Sequence, residues 1–205
     1  MIYEFDVHAF WEENELCLEP FTTKKPRVPI HFGLDDHFLL ELLNPPSTVR
    51  YYQDHAYRMH LNKIANDKLE PVLGRRFYPE EEMRLAPNRF EVLMGAEWKL
   101  TEGGTPWLES SVQDIGDAKR LIQRAAKLDM KKLAFPDGWQ EEKKRYEAET
   151  GKKIKLGGGS RGPATMATSI LGTTNTCMFM IDEPELMDDF FAVLAEKLVE
   201  YQKVL

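Results

Sequence analysis

Cysteine is nearly missing from these 205 residues: Cys17 and Cys177 are the only two, and they stand far apart. Neither a disulfide framework nor a C-x-x-C ligand pair can be built from them. Long apolar runs are missing too. No window of about 18 uncharged apolar residues occurs, which excludes a membrane-spanning helix. Basic charge is in deficit, with 27 Lys plus Arg against 34 Asp plus Glu and a net charge of −7. An acidic surface repels phosphate backbones, so no nucleic acid is expected as a partner. The start, Met1-Ile2-Tyr3-Glu4-Phe5-Asp6, is acidic where a secretory signal would be basic. With two unpaired cysteines, this points to a reducing, cytoplasmic setting. Histidine stops at His60 and H-E-x-x-H does not occur, so the residues themselves spell no metal site. There is no internal repeat, low-complexity tract or Ser/Gly linker.

What is present is ordinary globular material, 42% apolar, 30% charged and 11% aromatic. The length suits one domain or a fragment of a larger one, since domains run roughly 100–200 residues. Residues 1–26 mix acids with Phe10, Trp11, Leu16 and Phe21, an amphipathic arm that packs on a body. Arg27 to Gly33 reads as a short buried strand, although Pro29 cannot donate to a ladder. Asp35 or Asp36 caps a helix bearing Phe38, Leu39, Leu42 and Leu43, and Pro45-Pro46 stops it. Ser47 caps a second, longer helix with Val49, Tyr52, His55, Ala56 and Met59 on one face. Gly95–Leu100 and Pro106–Glu109 flank Glu102-Gly103-Gly104, which predicts a hairpin with Trp98 and Trp107 facing each other across it.

Asp114–Leu128 has helical periodicity, and Trp139–Thr150 is a charged, solvated helix ending at a C′ glycine, Gly151. Lys153–Leu156 reads as a brief strand entering Gly157-Gly158-Gly159-Ser160-Arg161-Gly162. A short apolar helix follows, then Gly172 and a polar turn. The final helix is the clearest element: Asp182 as N-cap, Glu185 three residues on, Pro184 in the first turn. Met187, Phe190, Phe191, Leu194, Leu198 and Tyr201 then recur at three- and four-residue steps. Strands separated by helices imply an α/β sheet with crossover connections.

Two places could carry chemistry. Gly157, Gly159 and Gly162 fit G-x-G-x-x-G, with Asp182 about twenty residues on, where a ribose-binding acid would stand. That fingerprint usually opens a sheet, whereas here it falls late in the sequence. More generally, glycines let backbone N–H groups approach an anion, and Arg161 offers a planar fork for a carboxylate. A tight turn with a solvated Arg161 explains the same residues equally well. Gly158-x-Ser160-x-Gly162 also matches a nucleophile elbow, but no histidine follows to complete a triad. His31 and His37 flank a strand-to-helix turn that holds Asp35 and Asp36, and such strand ends build sites in parallel sheets. A histidine there can serve as acid, base or ligand; capping by the aspartates and a satisfied hydrogen bond on the histidine are the alternatives.

Gly162-Pro163-Ala164-Thr165-Met166-Ala167, Leu171-Gly172 and Asp182-Glu183-Pro184-Glu185-Leu186 ahead of a long apolar helix resemble the uroporphyrinogen decarboxylase superfamily. Arg27-Val28-Pro29-Ile30 as first strand, Gly95-Ala96-Glu97, and Thr105-Pro106-Trp107 before an acidic helix agree with it. The resemblance implies the N-terminal portion of a TIM (β/α)8 barrel over residues 27–205, behind the arm of residues 1–26. Members include porphyrinogen decarboxylases and zinc-dependent methyltransferases acting on corrinoid proteins, thiols or folates. The decarboxylases carry R-Q-A-G-R-Y after the first strand, where this chain has Phe32-Gly33-Leu34-Asp35-Asp36-His37. Ser169 stands where their tyrosine is expected, and their catalytic aspartate has no counterpart near Pro87.

The resemblance therefore implies a methyltransferase, with decarboxylation as the alternative and a non-catalytic scaffold or docking half as the second. From their place after strands, His31, His37 and Asp35 are the expected catalytic residues, and Gly159, Ser160, Arg161, Gly162 and Trp98 the expected substrate contacts. Zinc and a corrinoid or folate methyl carrier come with the family, whose zinc ligands, a His-x-Cys and a later Cys, would lie beyond Leu205. A complete barrel needs roughly 250 residues. The implied partners are thus a second polypeptide or C-terminal half that completes the barrel, or a second copy of the chain, together with a corrinoid protein.

Overall fold

The computed structural model describes residues 5–19, 28–156 and 160–205. They divide into one unit of Met1–Glu82 with Glu102–Gly104, and another of Met83–Thr101 with Thr105–Leu205.

In the first unit, Asp6 caps α1 (Val7–Leu18) by accepting from the His8 and Ala9 N–H groups. Trp11, Asn14 and Cys17 form its buried face. The Trp11 indole N–H donates to the Leu73 carbonyl at 2.6 Å. Residues 28–31 do not form the expected strand. The reason is local: the Asn14 amide occupies both ladder groups of Ile30, accepting from its N–H at 2.7 Å and donating to its carbonyl at 2.9 Å. Pro29 beside it has no N–H to offer a neighbour. Arg27 lies outside the described residues.

Asp35 caps α2 (Asp36–Leu43), and Asn44 in the left-handed region closes it ahead of Pro45-Pro46. The single long helix expected after Ser47 is two helices. Ser47 caps only α3 (Thr48–Gln53); the backbone turns extended at Asp54, whose side chain caps α4 (His55–Leu73). Glu102 also serves α3, accepting from Ser47 Oγ at 2.6 Å and from the Thr48 N–H at 2.7 Å. α4 closes at Gly74, with φ +72°, where a Cβ would meet Val7 at 2.9 Å. Leu39, Leu40, Tyr51, Leu61, Ala65 and Leu69 fill this unit's core. Asn62 and Asn66, both buried on α4, hold the chain that follows: Asn62 donates to the Pro79 carbonyl, and Asn66 grips Phe77 and Tyr78.

The second unit begins with α5 (Phe90–Met94), stopped by Gly95. The expected hairpin forms from β1 (Ala96–Lys99) and β2 (Trp107–Ser110), paired antiparallel. Its register corrects one detail. Trp98 opposes Leu108 while Trp107 opposes Lys99, so the two tryptophans lie on opposite faces and do not face each other. α6 (Ile115–Ala125) is capped by Asp114 and followed by the short α7 (Met130–Leu133) and by α8 (Trp139–Thr150), which ends at Gly151 as expected.

Residues 153–156 do not form the expected strand. The Ile154 N–H, which a ladder would use, goes to the Glu147 carboxylate at 2.8 Å. α9 (Pro163–Ile170) then leads into α10 (Thr173–Asp182), a helix where a polar turn was expected. Two of its polar residues are tied into the fold: Thr176 Oγ1 donates to the Gly172 carbonyl, and the Asn175 amide donates to those of Val112 and Leu171. Asp182 consequently ends α10 and does not cap α11 (Pro184–Gln202), which starts at Pro184 without a side-chain cap.

α11 packs against α6, α7, α9 and α10, and α9 also packs on β2 and α5. Met94, Met130, Ile170, Phe190 and Leu194 sit at the centre of this second core. Among the described residues no parallel strand pair occurs, and no helix is long and apolar enough to cross a membrane.

Candidate functional site

A cleft of about 400 Å³ opens in the second unit between the segment ahead of α5, the segment ahead of α9 and the end of α11. Its floor is apolar, from Phe90, Met166 and Leu198. The Pro87–Arg89 wall is fixed through Asn88, whose N–H and amide donate to the Ala134 and Leu133 carbonyls, both at 2.8 Å. The Tyr201 hydroxyl donates to the Asn88 carbonyl at 2.8 Å and closes that wall onto α11. Burial, reinforced by the Glu91 charge, pushes the Tyr201 phenol above its ordinary range. It therefore serves as a neutral donor.

Three cations line the cleft: Arg89, Lys155 and Arg161. The Arg89 guanidinium lies over the Trp98 ring, 3.9 Å from its centroid, which holds it at the rim. Arg161 Nη1 donates to Ser169 Oγ at 3.0 Å and stands 3.6 Å from the Glu91 carboxylate. Ser169 in turn donates to the Thr165 carbonyl, a helix back-bond that sets its rotamer. Among the described residues Glu91 is the only acidic side chain on the cleft wall, and it is 12% exposed. Among the described residues no carboxylate pairs with Arg89 or Lys155. An apolar floor lined by cationic residues suits an amphiphilic anion of modest charge.

Of the expected substrate contacts, Ser160 and Arg161 are on this wall. Gly162 supplies the N-cap position of α9. Trp98 does not line the cleft but stacks on Arg89, which does. Gly157 and Gly159 lie outside the described residues. Asp182 ends a helix and not a strand, which removes the ribose-binding acid of a dinucleotide site.

His31, Asp35 and His37 belong to the first unit. His31 is exposed in an irregular segment. Asp35 Oδ1 accepts from the Phe38 N–H as helix cap, and His37 pairs with Glu41 at 3.2 Å along the helix surface. Sequence reasoning missed Arg89, Glu91, Lys155 and Tyr201. Glu91 carried a usable signal, an acid inside the apolar run Phe90–Met94; the others had none.

Zinc does not fit the residues described. Among them no three His, Cys, Asp or Glu side chains converge as a metal site would need, so no chemical step is derived through a metal.

The comparison that decides the family concerns these same elements. A model of the family described as Uroporphyrinogen decarboxylase (URO-D) matches residues 91–205, more than half of the chain. The chain belongs to the uroporphyrinogen decarboxylase family. No curated protein and no solved structure matches it. The family match begins at Glu91 and runs through α11, so Glu91, Lys155, Ser160, Arg161 and Tyr201 all lie inside the uroporphyrinogen decarboxylase region.

Proposed function

We propose that this chain works as a methyltransferase, or a methyltransferase subunit, of the uroporphyrinogen decarboxylase family. It would carry a methyl group from a small donor to a corrinoid protein, thiol or folate acceptor. In this reading residues 27–205 contribute the N-terminal portion of a (β/α)8 barrel, completed by a second polypeptide, further chain or another copy. The observation that carries the choice over decarboxylation is the charge of the cleft. Three cations against one carboxylate leave a surplus of two positive charges. A porphyrinogen brings four to eight carboxylates, each needing a charged or forked partner to leave water. The segment where the decarboxylases hold arginines has none here and presents Asp35 and Asp36. Like charges there would add repulsion.

In this role Arg161 orients the anionic end of the donor, and Phe90, Met166 and Leu198 exclude water from its body. Tyr201 keeps the Arg89 wall in place through the Asn88 carbonyl. His31, in the first unit, is proposed to orient the substrate or methyl donor. The test supplies the purified protein with methyl-labelled donors and with added cobalamin, thiol or folate, and in parallel with uroporphyrinogen. Label appearing in an acceptor, with no carbon dioxide released from uroporphyrinogen, is the expected result. Carbon dioxide release without methyl transfer overturns the proposal. Loss of transfer in His31→Ala, with unchanged melting, would support the role of that residue.

A further inference from the structure

We propose that the cleft selects a ligand with one carboxylate on an apolar body, and that Arg161 is the residue that receives the carboxylate. The inference rests on the cleft being the substrate site and deepens that reading to a substrate class. Arg161 is half exposed and its fork is incompletely used. One nitrogen donates to Ser169 Oγ at 3.0 Å, and the approach to Glu91, at 3.6 Å, is longer than a hydrogen bond. A guanidinium has five N–H donors, so a bidentate face remains for an incoming carboxylate. No tight ion pair has to be broken to make that contact. Ser169 fixes the plane of the fork, because its own hydroxyl is held by the Thr165 carbonyl.

Glu91 sets the upper limit on ligand charge. Its carboxylate sits on the same wall as Arg161, so a ligand with a second carboxylate brings a like charge toward a side chain that is largely out of water. Lys155 and Arg89 add long-range attraction at the rim, where solvent screens each of them. The floor of Phe90, Met166 and Leu198 removes apolar surface of the ligand from water and favours a hydrocarbon body over a compact ion such as acetate. Glu91 thus rejects the second charge that Arg161 would otherwise welcome.

Binding is measured without turnover, by calorimetry on the whole protein with four probes of one shape: benzoate, neutral benzamide, cationic benzamidine and dianionic phthalate. Benzoate is expected to bind at least about tenfold tighter than benzamide and benzamidine, and tighter than phthalate, the scale of one well-placed charged hydrogen-bond pair. Arg161→Gln should bring benzoate down to the affinity of benzamide, with benzamide itself unmoved. Glu91→Gln should narrow the gap between benzoate and phthalate. Lys155→Ala, at an exposed position, should cost benzoate a fewfold, and Arg161→Lys, which keeps the charge but loses the planar fork, should weaken benzoate and serves if Arg161→Gln unfolds.

Equal affinity for benzoate and benzamide, no binding of any probe, or benzoate binding untouched by substitution of Arg161 overturns the proposal. Benzoate binding with the expected variant pattern in a protein that transfers no methyl group would leave this inference standing and sink the methyltransferase reading alone.

Discussion

Asn66 offers the sharpest test of how the first unit holds together. Its side chain is fully buried and makes four hydrogen bonds. It accepts from the Phe77 N–H at 2.9 Å and the Tyr78 N–H at 3.0 Å, and donates to the Tyr78 carbonyl and the Glu80 carboxylate, both at 2.8 Å. Asn66→Ala removes all four and leaves three backbone groups to find water. A typical net contribution is about 1 kcal/mol per bond, more where a group stays dry, so the loss should be about 2–4 kcal/mol. That corresponds to roughly a hundredfold in the local opening equilibrium.

Hydrogen exchange read peptide by peptide is the right assay, because a chain of two units need not melt in one step. Peptides spanning residues 55–80 should lose protection by about that factor while those of α11 do not change. Asn66→Asp keeps both acceptor contacts, loses both donors and faces Glu80 with a like charge, so it should fall between wild type and Asn66→Ala. A change in Asn66→Ala below about 0.5 kcal/mol, the range of an ordinary surface substitution, would refute the reasoning.

Burial and the nearby Asp35 and Asp36 charges push the Tyr78 phenol up to about 12 from an ordinary 10.0, and burial raises Tyr51 in the same direction. A phenol raised in the folded state contributes fully below pH about 10 and loses that contribution as pH climbs toward 12; absorbance near 295 nm should show two tyrosines ionising only with unfolding. Glu80 is held below the ordinary carboxylate range, chiefly by the Asn66 amide. Its contribution is present above pH 4.5 and disappears as pH falls below that, so Glu80→Gln should blunt the acid midpoint measured by circular dichroism. Gly95 has φ +120°, and an added Cβ would collide with the Arg124 guanidinium. Gly95→Ala should cost about 1–3 kcal/mol, seen as a lower denaturation midpoint of the second unit. Leu194, fully buried, should cost about 2–5 kcal/mol as Leu194→Ala in the same measurement.

The elements legible in the sequence were those written in local chemistry. Asp35 and Ser47 cap the helices their side chains announce, the periodicity after Asp114 gives α6, Gly151 ends α8, and Glu102-Gly103-Gly104 turns the hairpin. What failed was set by partners distant in sequence. Ile30 and Ile154 carry strand-like residues, yet Asn14 and Glu147 take the backbone groups that a ladder would need. Asp182 looked like a cap because Pro184 and Glu185 follow it at capping distances, but α10 runs up to it from the other side. Thr173, Thr174 and Asn175 look like a turn in isolation and become helical once Asn175 finds the Val112 carbonyl. In the cleft, Arg161 could be picked out beside its glycines, whereas Arg89 and Lys155 gain meaning only from the shared cavity.

The contact between Asn14 and Ile30 works as a pin, whereas a ladder would spread its grip along several residues. Asn14 meets Ile30 with one donor and one acceptor, and two residues on the Phe32 ring packs against Trp11 and Phe77, so the segment is fixed at separate points and not along a continuous register. Sliding Asn14 one place along α1 would swing it about 100° around the axis and break both bonds to Ile30. Extra residues at Gly33, past the Phe32 ring and where nothing lies within 4 Å, should therefore be borne better than a single deletion within α1 ahead of Asn14.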